Sequence, residues 1–167
     1  SGTGVTSDDG DSIGIVVAGK GVDGRAYVLA DQTCKLSPDG WGKRAVAAYH
    51  GSWSETPDAH RADRIVAERN FGGAMVEHVI RTVDKSVSYK EVVASRGKVA
   101  RAEPVAALYE QGRVSHVGSL PELEDQCCLI GPDGFIGEGS PDRADALVWA
   151  LTELMLAEPR PEAKVFL

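Results

Sequence analysis

The spacing of apolar positions changes period along the chain, and each change marks an element. "SIGIVVAGKG" and "RAYVLAD" are apolar runs of strand length joined by "VDG", so they predict a hairpin that turns at Asp23-Gly24. Ser37-Pro38 then supplies a helix N-cap and a first helical residue, with Trp41, Ala45, Ala48 and Tyr49 at helical spacing. A polar loop, "SETPDAHRAD", leads to a short buried strand, Ile65 to Ala67, whose apolar run ends on a carboxylate, Glu68. From Phe71 the spacing predicts a helix turning Met75, Val76, Val79 and Ile80 inward. "VSYKEVVAS" predicts a strand, "RGKVARAEPVAALYEQG" a helix stopped at Gly112, and "RVSHVG" a short strand. Two more helices are expected, from Pro121 to about Ile130 and from Pro141 to about Leu156, with a Gly-rich loop between them. A hairpin followed by alternating helices and strands gives an α/β fold whose sheet mixes both pairing directions.

Composition narrows the class without choosing a chemistry. The 167 residues suit one domain, 1–167, with a core of useful size, and the opening "SGTGVTSDDGDS" reads as loop. No apolar run approaches the ~20 residues that span a bilayer, so no membrane role is expected. Three cysteines, Cys34, Cys127 and Cys128, lack the spacing of a zinc site or a disulfide framework, which favours a reducing compartment. The net charge of −7 argues against a broad basic nucleic-acid platform, yet carboxylates that hold metal ions would contribute the same sign.

Most motif matches dissolve on inspection. "GIVVAGKG" nearly fits a phosphate-binding loop, but Gly21 replaces the magnesium-binding hydroxyl and the intervening residues are strand formers. "SDDGDS" lacks the spacing of a calcium loop, the four histidines form no HExxH pair, and no GxSxG elbow is present. Three acids stand out instead. Glu68 ends a core strand, where Arg64 or Arg69 could also pair with it as an ordinary surface ion pair. Asp142 and Asp145 lie three apart in "SPDRADALVWAL", in a helix that Ser140 and Pro141 are expected to start. The helix dipole accounts for Asp142. Asp145 flanks the stripe formed by Leu147, Val148, Leu151, Leu154 and Met155, where an unpaired carboxylate is costly. Acids on a strand end and a helix start are the parts of a two-metal phosphodiesterase, in which oxygen ligands hold paired divalent ions.

Here the sequence resembles the C-terminal nuclease domain of the phage terminase large subunit. The likeness rests on "ADRIVAERNFGGAMV", "VVASRGKVARAEPVAALYEQGRVSHVG", "LPELEDQ" and "SPDRADALVWALTEL", in the expected order, with "GIVVAGKGVDGRAYVLAD" similar to that family's early hairpin. It implies a ribonuclease H-like mixed β-sheet flanked by helices, cutting concatemeric double-stranded viral DNA with two Mg2+ or Mn2+ ions during packaging. Glu68 and Asp142 match the family's acids, and Asp145 sits where some members carry another metal ligand. The family's first acid ends a strand that precedes a loop like "SGTG", so the expectation is a chain without that first strand, with Asp11 as a stand-in ligand. Arg96, Lys98 and Arg101, at the start of the helix that follows "VSYKEVVAS", could contact DNA phosphates or form only a solvated basic helix start. The implied partners are the portal protein, the small terminase subunit and an ATPase domain of the same full-length chain, in the cytoplasm of a bacterial host. Two alternatives stand beside this reading: an inactive docking module of the packaging motor, and another ribonuclease H-like nuclease of resolvase or transposase type.

Overall fold

A computed structural model describes residues 12–69 and 73–157. The predicted hairpin is β1 (Val16–Lys20) and β2 (Ala26–Asp31), antiparallel, with an irregularity between Val17 and Ala18. Gly24 takes φ +79° in its turn, a conformation that glycine adopts without the Cβ penalty. The near phosphate-loop match is therefore strand, as its residues predict. Helix α1 (Pro38–Tyr49) starts as expected, with the Ser37 hydroxyl accepting from the Gly40 amide. The apolar run closed by Glu68 is β3 (Ile65–Glu68), followed by α2 (Gly73–Val83) and β4 (Tyr89–Val92). Then come α3 (Lys98–Glu110), β5 (Val114–His116) and α4 (Pro121–Cys128). The Gly-rich stretch contains two short strands, β6 (Ile130–Gly131) and β7 (Gly134–Phe135), before α5 (Asp142–Leu151).

Both pairing directions are present: β1–β2 is antiparallel, whereas β2–β5 and β3–β4 are parallel. The strands do not form one continuous sheet among the described residues. β1, β2 and β5 make one sheet, β3 and β4 a second, β6 and β7 a third. One edge of β1 and one edge of β3 thus have no strand partner among the described residues, and α5 packs on both strands.

Burial follows two apolar clusters. The first gathers Val28 of β2, Leu108 of α3, Leu123 of α4 and Leu147 and Leu151 of α5. The second joins Trp41, Val46 and Tyr49 of α1 to Ile80 of α2 and Val87. At the α1–α2 crossing a Cβ on Gly42 would stand 2.5 Å from Val79 Cγ1, so glycine there permits close helix approach. Three expectations change. Met75 is exposed rather than inward, because Ile80 and its neighbours Val76 and Val79 carry the buried face of α2. The final helix ends as α-helix at Leu151 and continues as a π-helical turn, Thr152–Leu156. Ser140 does not cap α5; Pro141 occupies the cap position, and Gln126 Oε1 of α4 accepts from the Arg143 and Ala144 amides at 3.0 and 3.2 Å.

Candidate active site

Glu68 is delivered by the short strand β3, and its carboxylate turns onto α5. Its Oε2 accepts from the indole Nε1 of Trp149 at 3.1 Å. Trp149 lies one helical turn beyond Asp145, so the strand-end acid and the helix acid are brought to the same stretch of α5. The side chains of Glu68 and Asp145 retain 24% and 20% of their exposure, which leaves both carboxylates partly desolvated. Such groups require an opposite charge nearby.

That charge comes from the first turns of α3. Lys98 Nζ lies 2.5 Å from Asp145 Oδ2, and Arg101 Nη1 lies 3.8 Å from Glu68 Oε1. The Arg101 guanidinium also sits over the Trp149 ring, 4.8 Å from its centroid, and donates from Nη1 to the Arg96 carbonyl at 2.9 Å. Its Nε is buried and has no hydrogen-bond partner. Lys98 and Arg101, read from the sequence as facing DNA or solvent, therefore face the acids. Arg96 is exposed, and only its backbone carbonyl is engaged in the bonds above.

Asp142 opens α5, half-buried, and its carboxylate makes none of the side-chain bonds found at Glu68 and Asp145. A close approach fixes its backbone: a Cβ on Gly14 would fall 2.0 Å from the Asp142 carbonyl oxygen, so only glycine lets the chain entering β1 press against this turn. Between the two aspartates, Arg143 points elsewhere, with Nε 2.8 Å from Asp31 Oδ2 and Nη2 2.5 Å from Glu122 Oε2. Asp11 lies outside the described residues.

Two clefts flank this ground. One, of about 390 Å³, has Lys98 and Asp145 at its wall with Val99, Phe135, Ser140 and Val148. The other, of about 270 Å³, is lined by Arg96, Arg101, Pro104, Trp149 and Val93 among others. The donor chemistry is right for magnesium or manganese, which take hard oxygen ligands. The grouping is not: among the described residues no three His, Cys, Asp or Glu side chains gather as a metal site, and two of the acids are already held by cations. As arranged, these residues do not fit a pair of divalent ions.

Sequence reading missed Trp149 as a partner of Glu68 and missed the turn of Lys98 and Arg101 toward the acids. These are contacts across long stretches of chain, and no local pattern encodes them. His50 bonds Asp84, His60 bonds Ser54 and Thr56, and His116 lies between Tyr109 and Glu124. Among the described residues no helix is long and apolar enough to cross a membrane.

Comparison with known proteins supports the resemblance read from the sequence. A family model described as the terminase RNaseH-like domain matches residues 3–154. No curated protein and no solved structure matches the chain. With that model spanning nearly the whole length, and with mixed strand pairing flanked by helices, the chain belongs to the terminase RNaseH-like domain family.

Proposed function

We propose that this chain is the endonuclease module of a DNA-packaging terminase, cutting double-stranded viral DNA in a reaction that depends on Mg2+ or Mn2+. The observation that carries the reading is the docking of Glu68 onto α5 beside Asp145, in a chain of this family. Two partly desolvated carboxylates from distant segments are an expensive juxtaposition for packing alone. Glu68, Asp142 and Asp145 are the proposed catalytic acids, with Asp11 a further candidate, and to serve as ligands for two ions they would have to regroup and give up the cations that now hold Asp145 and Glu68. Arg96 remains the proposed DNA-phosphate contact, and Lys98 and Arg101 reach phosphate once they leave the acids. The portal protein, the small terminase subunit and an ATPase domain are the proposed partners, in a bacterial host's cytoplasm.

A second reading is favoured by one observation. The lack of a three-acid group among the described residues suits an inactive docking module of the motor. Nicking of supercoiled plasmid in Mn2+ separates the two. The expected result is cleavage that requires the ion and falls by about a hundredfold or more in Glu68→Gln, a change that keeps an acceptor for Trp149. Glutamine is a better probe than alanine because it keeps the side-chain volume and the Trp149 contact while removing the carboxylate charge that faces Arg101. Cleavage that is equal in Glu68→Gln would remove Glu68 from the site. No cleavage by the parent protein would favour the docking module.

A further inference from the structure

We infer that the smaller cleft, beside Glu68, takes up unpaired nucleotides, so that DNA is held at this face as a single strand. The inference rests on the nuclease reading for its choice of nucleic acid and deepens it, since it names the form in which the substrate meets the site.

Charge is the first observation. The cleft lining holds two guanidinium groups, those of Arg96 and Arg101, and no carboxylate, in a chain whose net charge is −7. The larger cleft instead sets Asp145 against Lys98. Arg96 is exposed, and its side chain makes no bond or ion pair among the described residues. Arg101 is 12% exposed, its buried Nε has no hydrogen-bond partner, and Glu68 approaches it only to 3.8 Å. A guanidinium held this loosely turns at small cost to an oxygen anion that accepts in its plane.

Shape is the second. Val93 is 64% exposed and Leu156 40%, and both line this cleft together with Pro104 and Trp149. Open apolar side chains beside unmatched cations suit a ligand that carries both a flat ring and an anion. A nucleotide carries both. Arg101 lies over the Trp149 ring, and a guanidinium stacked on an indole is a surface on which a base lies well. Leu156 comes from the π-helical turn that continues α5, an irregularity of a kind that recurs at functional sites.

Place and size decide between strand and duplex. A paired base is stacked on its neighbours, so only one that has left the helix can offer its face to a side chain. A cleft of about 270 Å³ admits a strand unit by unit and has no room for a base pair. Trp149 and Arg101 also contact Glu68, so a strand seated on them lies beside the candidate acid.

The test is binding of a fluorescein-labelled thymidine strand of about twelve nucleotides, read by anisotropy in EDTA at fixed ionic strength. A blunt duplex at equal phosphate concentration competes. The chain should prefer the strand by about tenfold, the scale of one stacked base. Val93→Glu puts a carboxylate on an exposed wall and should lower strand affinity about tenfold. Arg96→Gln should lower it about threefold and flatten its salt dependence. Arg113→Gln removes the same charge beyond the far end of α3 and should change affinity less than about twofold.

Equal affinity for strand and duplex, or strand binding unchanged in Val93→Glu, overturns the inference, and the nuclease reading stands if Mn2+-dependent nicking persists. An equal loss in Arg113→Gln also overturns it, because the effect is then general charge. Tighter binding of an acidic peptide with aromatic side chains assigns the cleft to a protein partner and likewise overturns it. The expected losses in a protein that never nicks plasmid keep the strand in the cleft and remove the nuclease reading alone.

Discussion

The molecule builds two polar clusters around an aromatic ring, and they differ in how fully their bonds are made. In one, Tyr109 Oη bonds His116 Nε2 at 2.7 Å and His116 Nδ1 meets Glu124 Oε1 at 3.0 Å. Both imidazole nitrogens are used, and the contacts are of ordinary length. In the other, Trp149 bonds Glu68, but Arg101 stands 3.8 Å from the acid and keeps an unpaired buried Nε. Each cluster draws on three elements, so connectivity does not separate them. Completeness does. A satisfied network ties α3, β5 and α4 together, whereas the other leaves a buried donor of Arg101 unused beside two clefts.

The largest expected effect breaks the satisfied cluster. Tyr109→Ala removes a ring that packs against the main apolar cluster and strips His116 of a partner. It should lower stability by about 3 kcal/mol in urea unfolding, with nicking per folded molecule unchanged. A loss of nicking in the folded fraction would mean that the two clusters are coupled. The closed character of this region can also be read from Cys127, which packs against the same core. Burial, with smaller contributions from Cys128 and Glu124, pushes its thiol up to about 11 from the ordinary 9.0. Thiolate at neutral pH should fall about a hundredfold, and alkylation with it. Mass spectrometry after brief iodoacetamide treatment at pH 8 should find label on exposed Cys128 well before Cys127. Equal labelling would show that α4 opens readily.

The unsatisfied cluster responds differently. Trp149→Phe keeps a ring beneath Arg101 but deletes the indole donor to Glu68. Stability should drop by only about 1 kcal/mol. Mn2+ affinity and nicking should fall about tenfold, the usual scale when a group that orients a ligand is lost. A purely structural tryptophan would give the stability change without the change in affinity.

How far this contrast was legible beforehand depends on the range of each interaction. The hairpin turn at Asp23-Gly24, the Ser37 cap and the Gly112 stop each rest on local backbone preference, and each was readable. Glu68 at a strand end was readable too, because the apolar run stops there. The β6–β7 pair was not, since two-residue strands carry no periodicity. Nor was the Gln126 cap of α5, where a side chain from α4 does what Ser140 was expected to do. Lys98 and Arg101 show the limit best. A basic helix start is equally compatible with a phosphate outside the protein and a carboxylate within it. Only the packing of α3 against α5 decides between them.

The smallest expected effect concerns a third polar cluster, and it calibrates the other two. Asp84 follows α2 and ties it to the end of α1 through His50, 2.8 Å away, while accepting from the Ser86 hydroxyl and amide at 2.6 and 2.8 Å. The Ser86 hydroxyl, then His50, then the Ser86 amide lower its pKa from 3.8 to about 2. A carboxyl whose folded value is depressed contributes stability that is present above its unfolded value and lost as pH falls through the folded one. The difference in thermal midpoint between the parent and Asp84→Ala should thus be complete above about pH 4 and should close toward pH 2. A difference that persists unchanged at pH 2 would assign the effect to packing rather than charge. Because this acid is bonded chiefly by neutral donors, added salt should leave the difference nearly intact. The pairs of Asp145 with Lys98 and Glu68 with Arg101 join full charges, and the exposed Lys98 end should weaken with salt.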